Sequence, residues 1–182
     1  KMPEAQNKLT NGELRMLIDA VACTNCITEN HSKRLIAKLA NQSERKSGEL
    51  VDRGVLVRRT RRPADDHVLE NITMLNAPDA ACKKVSFLYK KRSSSEPARR
   101  VVDPLALVMN NGQYYFLAYK DGEPTYHTYR VDRMSNIVIT DKDINEEKVK
   151  ALVSKISDER FTVFNMYAGE EKTVTLEFDA KC

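Results

Sequence analysis

Hydrophobic positions along this chain change their spacing three times. In the first forty residues they recur every three to four positions. Thr10 and Glu13 form a Thr-x-x-Glu capping box, and Leu14, Leu17, Ile18 and Val21 then share one helical face. After the polar turn "ITEN", Leu35, Ile36 and Leu39 mark a second helix over about 30–40. These two read as a plain helical hairpin more readily than as a helix-turn-helix, because the second helix offers only Lys33, Arg34 and Lys38 and no third supporting helix is evident. Residues 41–62 are a polar connecting segment in which Val55 and Val57 could alternate as a short strand. A further helix is predicted through "DDHVLENITMLNA", with Val68, Leu69, Ile72 and Leu75 inward and Asp65 and Asp66 near its positive end. Pro78 should stop or kink it.

From Lys83 the spacing falls to two. "KVSFLYK" puts Val85, Phe87 and Tyr89 on one face, and four more alternating runs follow up to about Thr140. They are separated by Asn110-Asn111-Gly112, by the stretch from Lys120 to Pro124 with its Asp-Gly, and by a bend near Arg133 to Asn136. Asn-Gly and Asp-Gly between alternating runs are strong hairpin signals. Five strands this short predict a small, strongly bent barrel of the SH3 or Sm type. The helical period then returns: Asn145 or Asp143 should cap a helix carrying Val149, Leu152, Val153 and Ile156. "TVTLEFDA" closes the sequence as a strand with Val174, Leu176 and Phe178 on one side. The chain begins at Lys1 and stops within that strand, so a fragment trimmed at one or both ends is expected.

Composition narrows the class. The 182 residues are 41% hydrophobic and 31% charged, enough apolar material for a core and far too much charge for a membrane span. Nothing resembles a signal peptide, and a cytoplasmic protein is expected. The net charge of +4 is unevenly spread: Lys33 to Arg62 holds ten basic residues against three acids. Within that stretch Arg58, Arg59, Arg61 and Arg62 are candidate nucleic-acid contacts, although a solvated linker can be equally basic.

Chemistry of other kinds is poorly supported. Cys23 and Cys26 form a Cys-x-x-Cys pair, but no second Cys/His pair at matching spacing completes a zinc site. The pair also ends a helix and does not begin one, so two small buried thiols are expected, with no metal. The chain has no glycine-rich phosphate loop, no Gly-x-Ser-x-Gly elbow and no His-Glu-x-x-His. No catalytic residue, no enzyme activity and no cofactor is expected.

The runs "VSFLY", "DPLALVMNNGQYYFLAY" and "YHTYRVDRM", in that order and at those distances, resemble the WYL domain of bacterial transcriptional regulators. The name-giving Trp-Tyr-Leu falls on Tyr114, Tyr115 and Phe116, so only its middle letter is kept. Pro104, Gly112, Tyr119 and the Arg130-Val131-Asp132-Arg133 run match better. "ELRMLIDAV" with "SKRLIAKL" is similar to the helical connector of such regulators, and "FTVFNMYAGEEKTVTLEF" to the start of their C-terminal extension. Pro78 departs from the family, which usually carries an aliphatic residue there. The resemblance implies an α+β chain in three parts: a helical connector and dimerisation region over 1–80, a WYL barrel over 81–141, and the beginning of the C-terminal extension over 142–182. The winged helix-turn-helix that would come first in the family is missing from this sequence.

Strand alternation places Tyr115, Leu117 and Tyr119 on one face and Tyr114, Phe116 and Ala118 on the other; it likewise sets Tyr129, Val131 and Arg133 against Tyr126, Thr128, Arg130 and Asp132. Which face is inward is not legible. Either choice brings rings and guanidinium groups together, and that pairing suits a nucleotide, since arginine matches phosphate bidentately and a tyrosine ring can stack on a base. For the tyrosines core packing competes with this role, and for the arginines a structural pair with Asp132 or Asp103. The resemblance implies a nucleotide-like or oligonucleotide ligand. Arg130 and Arg133 are then expected at phosphate, Tyr115 and Tyr119 as stacking platforms, and His127 and Arg100 as secondary polar contacts. The implied whole is the sensing part of a homodimeric regulator that reaches DNA through the missing upstream domain. The alternative is a stand-alone accessory protein binding RNA or single strands, as in phage defence.

Overall fold

The computed structural model describes residues 9–42, 67–158 and 175. The basic positions Arg58, Arg59, Arg61 and Arg62, the Val55–Val57 strand and the "TVTLEFDA" strand lie outside the described residues, Thr175 excepted. The first helix, α1, spans Asn11–Cys23 with Thr10 as its N-cap, and both halves of the capping box form. The second, α2, spans Glu29–Ala40 and is capped by the Thr28 hydroxyl, which accepts from the His31 amide. Leu14 and Ile18 are buried in α1, as their spacing requires. The third, α3, runs His67–Leu75 and buries Val68 and Leu75. Pro78 does stop the helix: it sits in the first turn of a short 3-10 helix over Pro78–Ala81, where a missing N–H costs nothing.

Five antiparallel strands follow: β1 Lys83–Tyr89, β2 Ala98–Asn110, β3 Gln113–Tyr119, β4 Tyr126–Arg130 and β5 Met134–Asp143. Their order in the sheet is β4-β3-β2-β1-β5. Long β2 serves two partners. Its first half pairs with β1, Ala98 opposite Tyr89 through Val102 opposite Val85, and its second half, from Asp103 to Asn110, pairs with β3. A register shift between Pro104 and Ala106 marks the bend between those halves. The β2–β3 connection is the two-residue turn Asn111-Gly112 with φ of 50° and 70°, the positive pair a type I′ turn needs. Among the described residues no backbone ladder joins β4 to β5, so the barrel is an open one. Its edges are linked instead by a 3-10 turn, Val131–Arg133. Side chains close the gap, with the Tyr129 ring of β4 edge-on to Phe87 and Tyr89 of β1 at centroid distances of 5.1 and 5.0 Å.

Two apolar clusters fix the faces. Inside the barrel, Val85, Phe87, Val102, Phe116, Ala118, Tyr129, Val131 and Met134 pack with Val68 and Leu75 of α3 and with Cys26 and Ile27 from the α1–α2 connection. Outside it, Tyr115, Leu117, Tyr119 and Tyr126 are covered by Leu152 and Ile156 of the last helix, α4, Glu146–Asp158. Asn145 caps α4 by accepting from the Lys148 amide, while Asp143 pairs with Lys83 instead. Strand β3 is therefore buried on both faces from Tyr115 to Tyr119.

Of the two thiols expected to be buried, Cys26 is buried and Cys23 is exposed, because Cys23 ends α1 on its outer side. Among the described residues, no three His, Cys, Asp or Glu side chains are placed to hold a metal ion, and no helix is long and apolar enough to cross a membrane.

Candidate functional site

The residues singled out for a ligand do not gather in one place. Tyr115 and Tyr119 are 7% exposed and lie in the layer beneath α4. They pack there with Leu117, Tyr126, Leu152 and Ile156, the packing that competes with a stacking role. Lys148 adds a cation over the Tyr119 ring at 5.5 Å.

Arg130 is held by neighbours. Its Nε and Nη2 donate to the two Asp132 carboxylate oxygens at 3.0 and 2.7 Å, and Nη2 also reaches the Gln113 side-chain oxygen at 3.3 Å. That carboxylate holds the guanidinium above its ordinary pKa, against the opposing effect of burial. The structural pair with Asp132 is thus formed, while the other proposed partner, Asp103, is taken by Lys84.

His127 and Arg100 belong to the interior side of the sheet, since their cross-strand partners Ala118 and Phe87 both point inward. The His127 Nε2 lies 4.0 Å from the Glu123 carboxylate and has no hydrogen-bond partner among the described residues. Arg100 lies close enough to Tyr129 to oppose the rise in phenol pKa that burial causes there.

Arg133 is placed differently. Strand alternation ends at Arg130, and the 3-10 turn rotates Asp132 and Arg133 away from the positions a continued strand would give them. Three contacts clasp this turn: Asn71 donates to the carbonyls of Val131 and Met134 at 3.2 and 2.9 Å, and the His67 ring meets the Asp132 carbonyl at 3.3 Å. The Lys90 amide donates to the Arg133 carbonyl at 3.1 Å, which brings the loop after β1 alongside.

Between that loop and the turn is a solvent-open cavity of about 430 Å³, lined among others by His67, Lys90, Lys91, Arg92, Ser94 and Arg133. Among the described residues its one acid is Asp132, already matched by Arg130. Lys90, Lys91, Arg92 and Arg133 all line it, so its described lining is strongly basic. An anion with several charged oxygens is what such a space can hold.

Sequence reasoning singled out Arg133 but not the other residues that line this cavity. The signal was present in "YKKRSSSE", three consecutive bases directly after a strand and before three serines. His67 and Asn71 carried no signal, because their role depends on how α3 crosses the barrel.

With this geometry in view, residues 74–139 match the family model of the WYL domain. That segment of the chain is similar to the WYL domain. The matched segment includes the loop after β1 and the 3-10 turn that together bound the cavity. No curated protein matches the sequence. Among solved structures, the chain is similar to proteasome accessory factor B/C (PafBC) of Arthrobacter aurescens, at 16% identity and a TM-score of 0.39, over 75% of this chain and 21% of that one. It is also similar to a CRISPR Cas-related protein, at 17% identity and a TM-score of 0.43, over 88% of this chain and 52% of that one. The chain spans about a fifth and about half of those two proteins.

Proposed function

We propose that this WYL-like domain is the ligand-sensing part of a transcriptional regulator, and that its ligand is nucleotide-like, bound through phosphate in the cavity between the loop after β1 and the Val131–Arg133 turn. The observation that carries this reading is that Lys90, Lys91, Arg92 and Arg133 line one open cavity, whose one carboxylate among the described residues, Asp132, is paired with Arg130. Arg133 and Arg92 supply planar forks for phosphate oxygens, and Lys90 and Lys91 supply point charges. Arg130 acts indirectly, by keeping Asp132 from repelling the ligand. His127 and Arg100, on the interior side of the sheet, are secondary contacts only for a ligand long enough to leave the cavity. Control of DNA through an upstream domain, in a cytoplasmic homodimer, completes the proposal.

Fluorescence anisotropy with labelled oligonucleotides and cyclic dinucleotides tests it. Binding is expected in the wild type and a loss of at least about tenfold in Lys91→Ala/Arg133→Ala, in line with the 1.5–3 kcal/mol of a charge-assisted hydrogen bond. No binding by any probe up to millimolar would remove the sensing role. Binding undiminished in the double variant would move the ligand to another surface and favour the stand-alone nucleic-acid-binding alternative.

A further inference from the structure

The cavity is tied to the helical pair α1–α2 by a continuous run of hydrogen bonds. Asp132, at the cavity wall, accepts two from Arg130. The Arg130 Nη2 also donates to the Gln113 side-chain oxygen at 3.3 Å, and the Gln113 Nε2 donates to the Asn25 carbonyl at 3.2 Å. Next to it, the Asn25 amide donates to the Gly112 carbonyl at 3.4 Å. Asn25 lies in the connection between α1 and α2, and the adjacent Cys26 and Ile27 are buried in the barrel interior. The Asn111-Gly112 turn is thus the point where the barrel grips the helical pair. The grip is close: Gly112 has φ of +70°, and a Cβ there would stand 3.4 Å from the Asn25 nitrogen.

We propose that the chain Asp132–Arg130–Gln113–Asn25 couples anion occupancy of the cavity to the docking of α1–α2 on the barrel. The proposal rests on the reading above that the cavity holds an anion. Arg130 Nη2 is shared unequally, 2.7 Å from Asp132 and 3.3 Å from Gln113. An anion arriving beside Arg133 brings like charge towards Asp132, and the carboxylate then draws its compensating guanidinium closer. Gln113 loses that donor, its amide is free to turn, and its hold on the Asn25 carbonyl weakens. The ligand therefore binds best to the arrangement in which α1–α2 is loosened, the differential affinity that any such coupling requires. A chain of contacts alone would not establish coupling; a measured dependence between the two ends would.

Amide hydrogen exchange at Asn25 and Cys26 in the full chain, with and without saturating inorganic pyrophosphate, reads this directly. Pyrophosphate should speed exchange there by about fivefold or more, the lower end of ordinary coupling between sites. In Gln113→Ala exchange should already be fast and indifferent to pyrophosphate. By reciprocity that variant should also bind pyrophosphate more tightly by a similar factor, which a merely structural glutamine would not cause. Binding of pyrophosphate to the wild type with unchanged exchange at Asn25 overturns the coupling and leaves the cavity reading standing. No binding of pyrophosphate overturns both.

Discussion

Asp103 has no exposed surface and stands where β2 turns from one partner strand to the other. It accepts from the Lys84 ammonium and, through its second oxygen, from the Asn145 amide at 3.0 Å, so one carboxylate joins β1, β2 and the start of α4. Lys84, 14% exposed, also meets Asp121 at 3.1 Å. Removing Asp103 leaves Lys84 with only the exposed Asp121 as partner, so Asp103→Ala is expected to lower stability in urea unfolding, by less than the about 3–5 kcal/mol of a buried pair broken outright. The pair also gives stability a dependence on alkaline pH. Burial lowers the Lys84 pKa, but the hydrogen bonds to Asp103 and Asp121 more than reverse this, and the net value is raised. A raised folded pKa means the contribution is complete below the unfolded lysine value, about 10.4, and is lost as pH climbs through the folded one. Unfolding free energy in the wild type should therefore fall above that pH, and Lys84→Met should flatten this part of the profile. An unchanged profile in the variant would show that the pair contributes no alkaline dependence.

At the scale of elements, β3 explains both what the sequence made legible and what it withheld. Period-two spacing and the Asn-Gly turn located the strands, because both are local properties of backbone twist and pleat. The inward face of β3 stayed open because Tyr115, Leu117 and Tyr119 are as apolar as Phe116 and Ala118, and α4 covers them from outside. Alternation also fails at Arg130, where the strand gives way to a 3-10 turn that no period announces. The cavity itself is built from a loop and that turn, so neither helical nor strand periodicity could find it. Leu152 and Ile156 are the buried contacts of α4. Truncating Leu152 to Ala should destabilise the chain by about 2–5 kcal/mol, as for other buried leucines. It should also shift tyrosine emission, which is readable because the protein has seven tyrosines and no tryptophan. Affinity for pyrophosphate should stay within about twofold, since no α4 residue lines the cavity. A tenfold loss of affinity in this variant would mean that α4 shapes the cavity after all.

For the whole molecule the informative quantity is how binding responds to salt. The overall charge of +4 is small, and a nonspecific polyanion attraction spread over the surface would be weak and diffuse. A cavity presenting Lys90, Lys91, Arg92 and Arg133 predicts something more definite. Each cation that neutralises a phosphate of a single strand contributes a slope of about −0.7 to the plot of log K against log salt, so four contacts give about −3. Replacing Arg133 or Lys91 by alanine should make that slope shallower by about 0.7 each, and by about 1.4 together. Replacing a lysine far from the cavity, such as Lys150 on α4, should leave it unchanged, because Lys150 is already paired with Glu146 at 3.1 Å and faces another side. A slope well beyond −3 that survives both cavity substitutions would mean that cations elsewhere carry the ligand. A slope near −1 would mean that a single phosphate is held, and the ligand would then be a mononucleotide and not a strand.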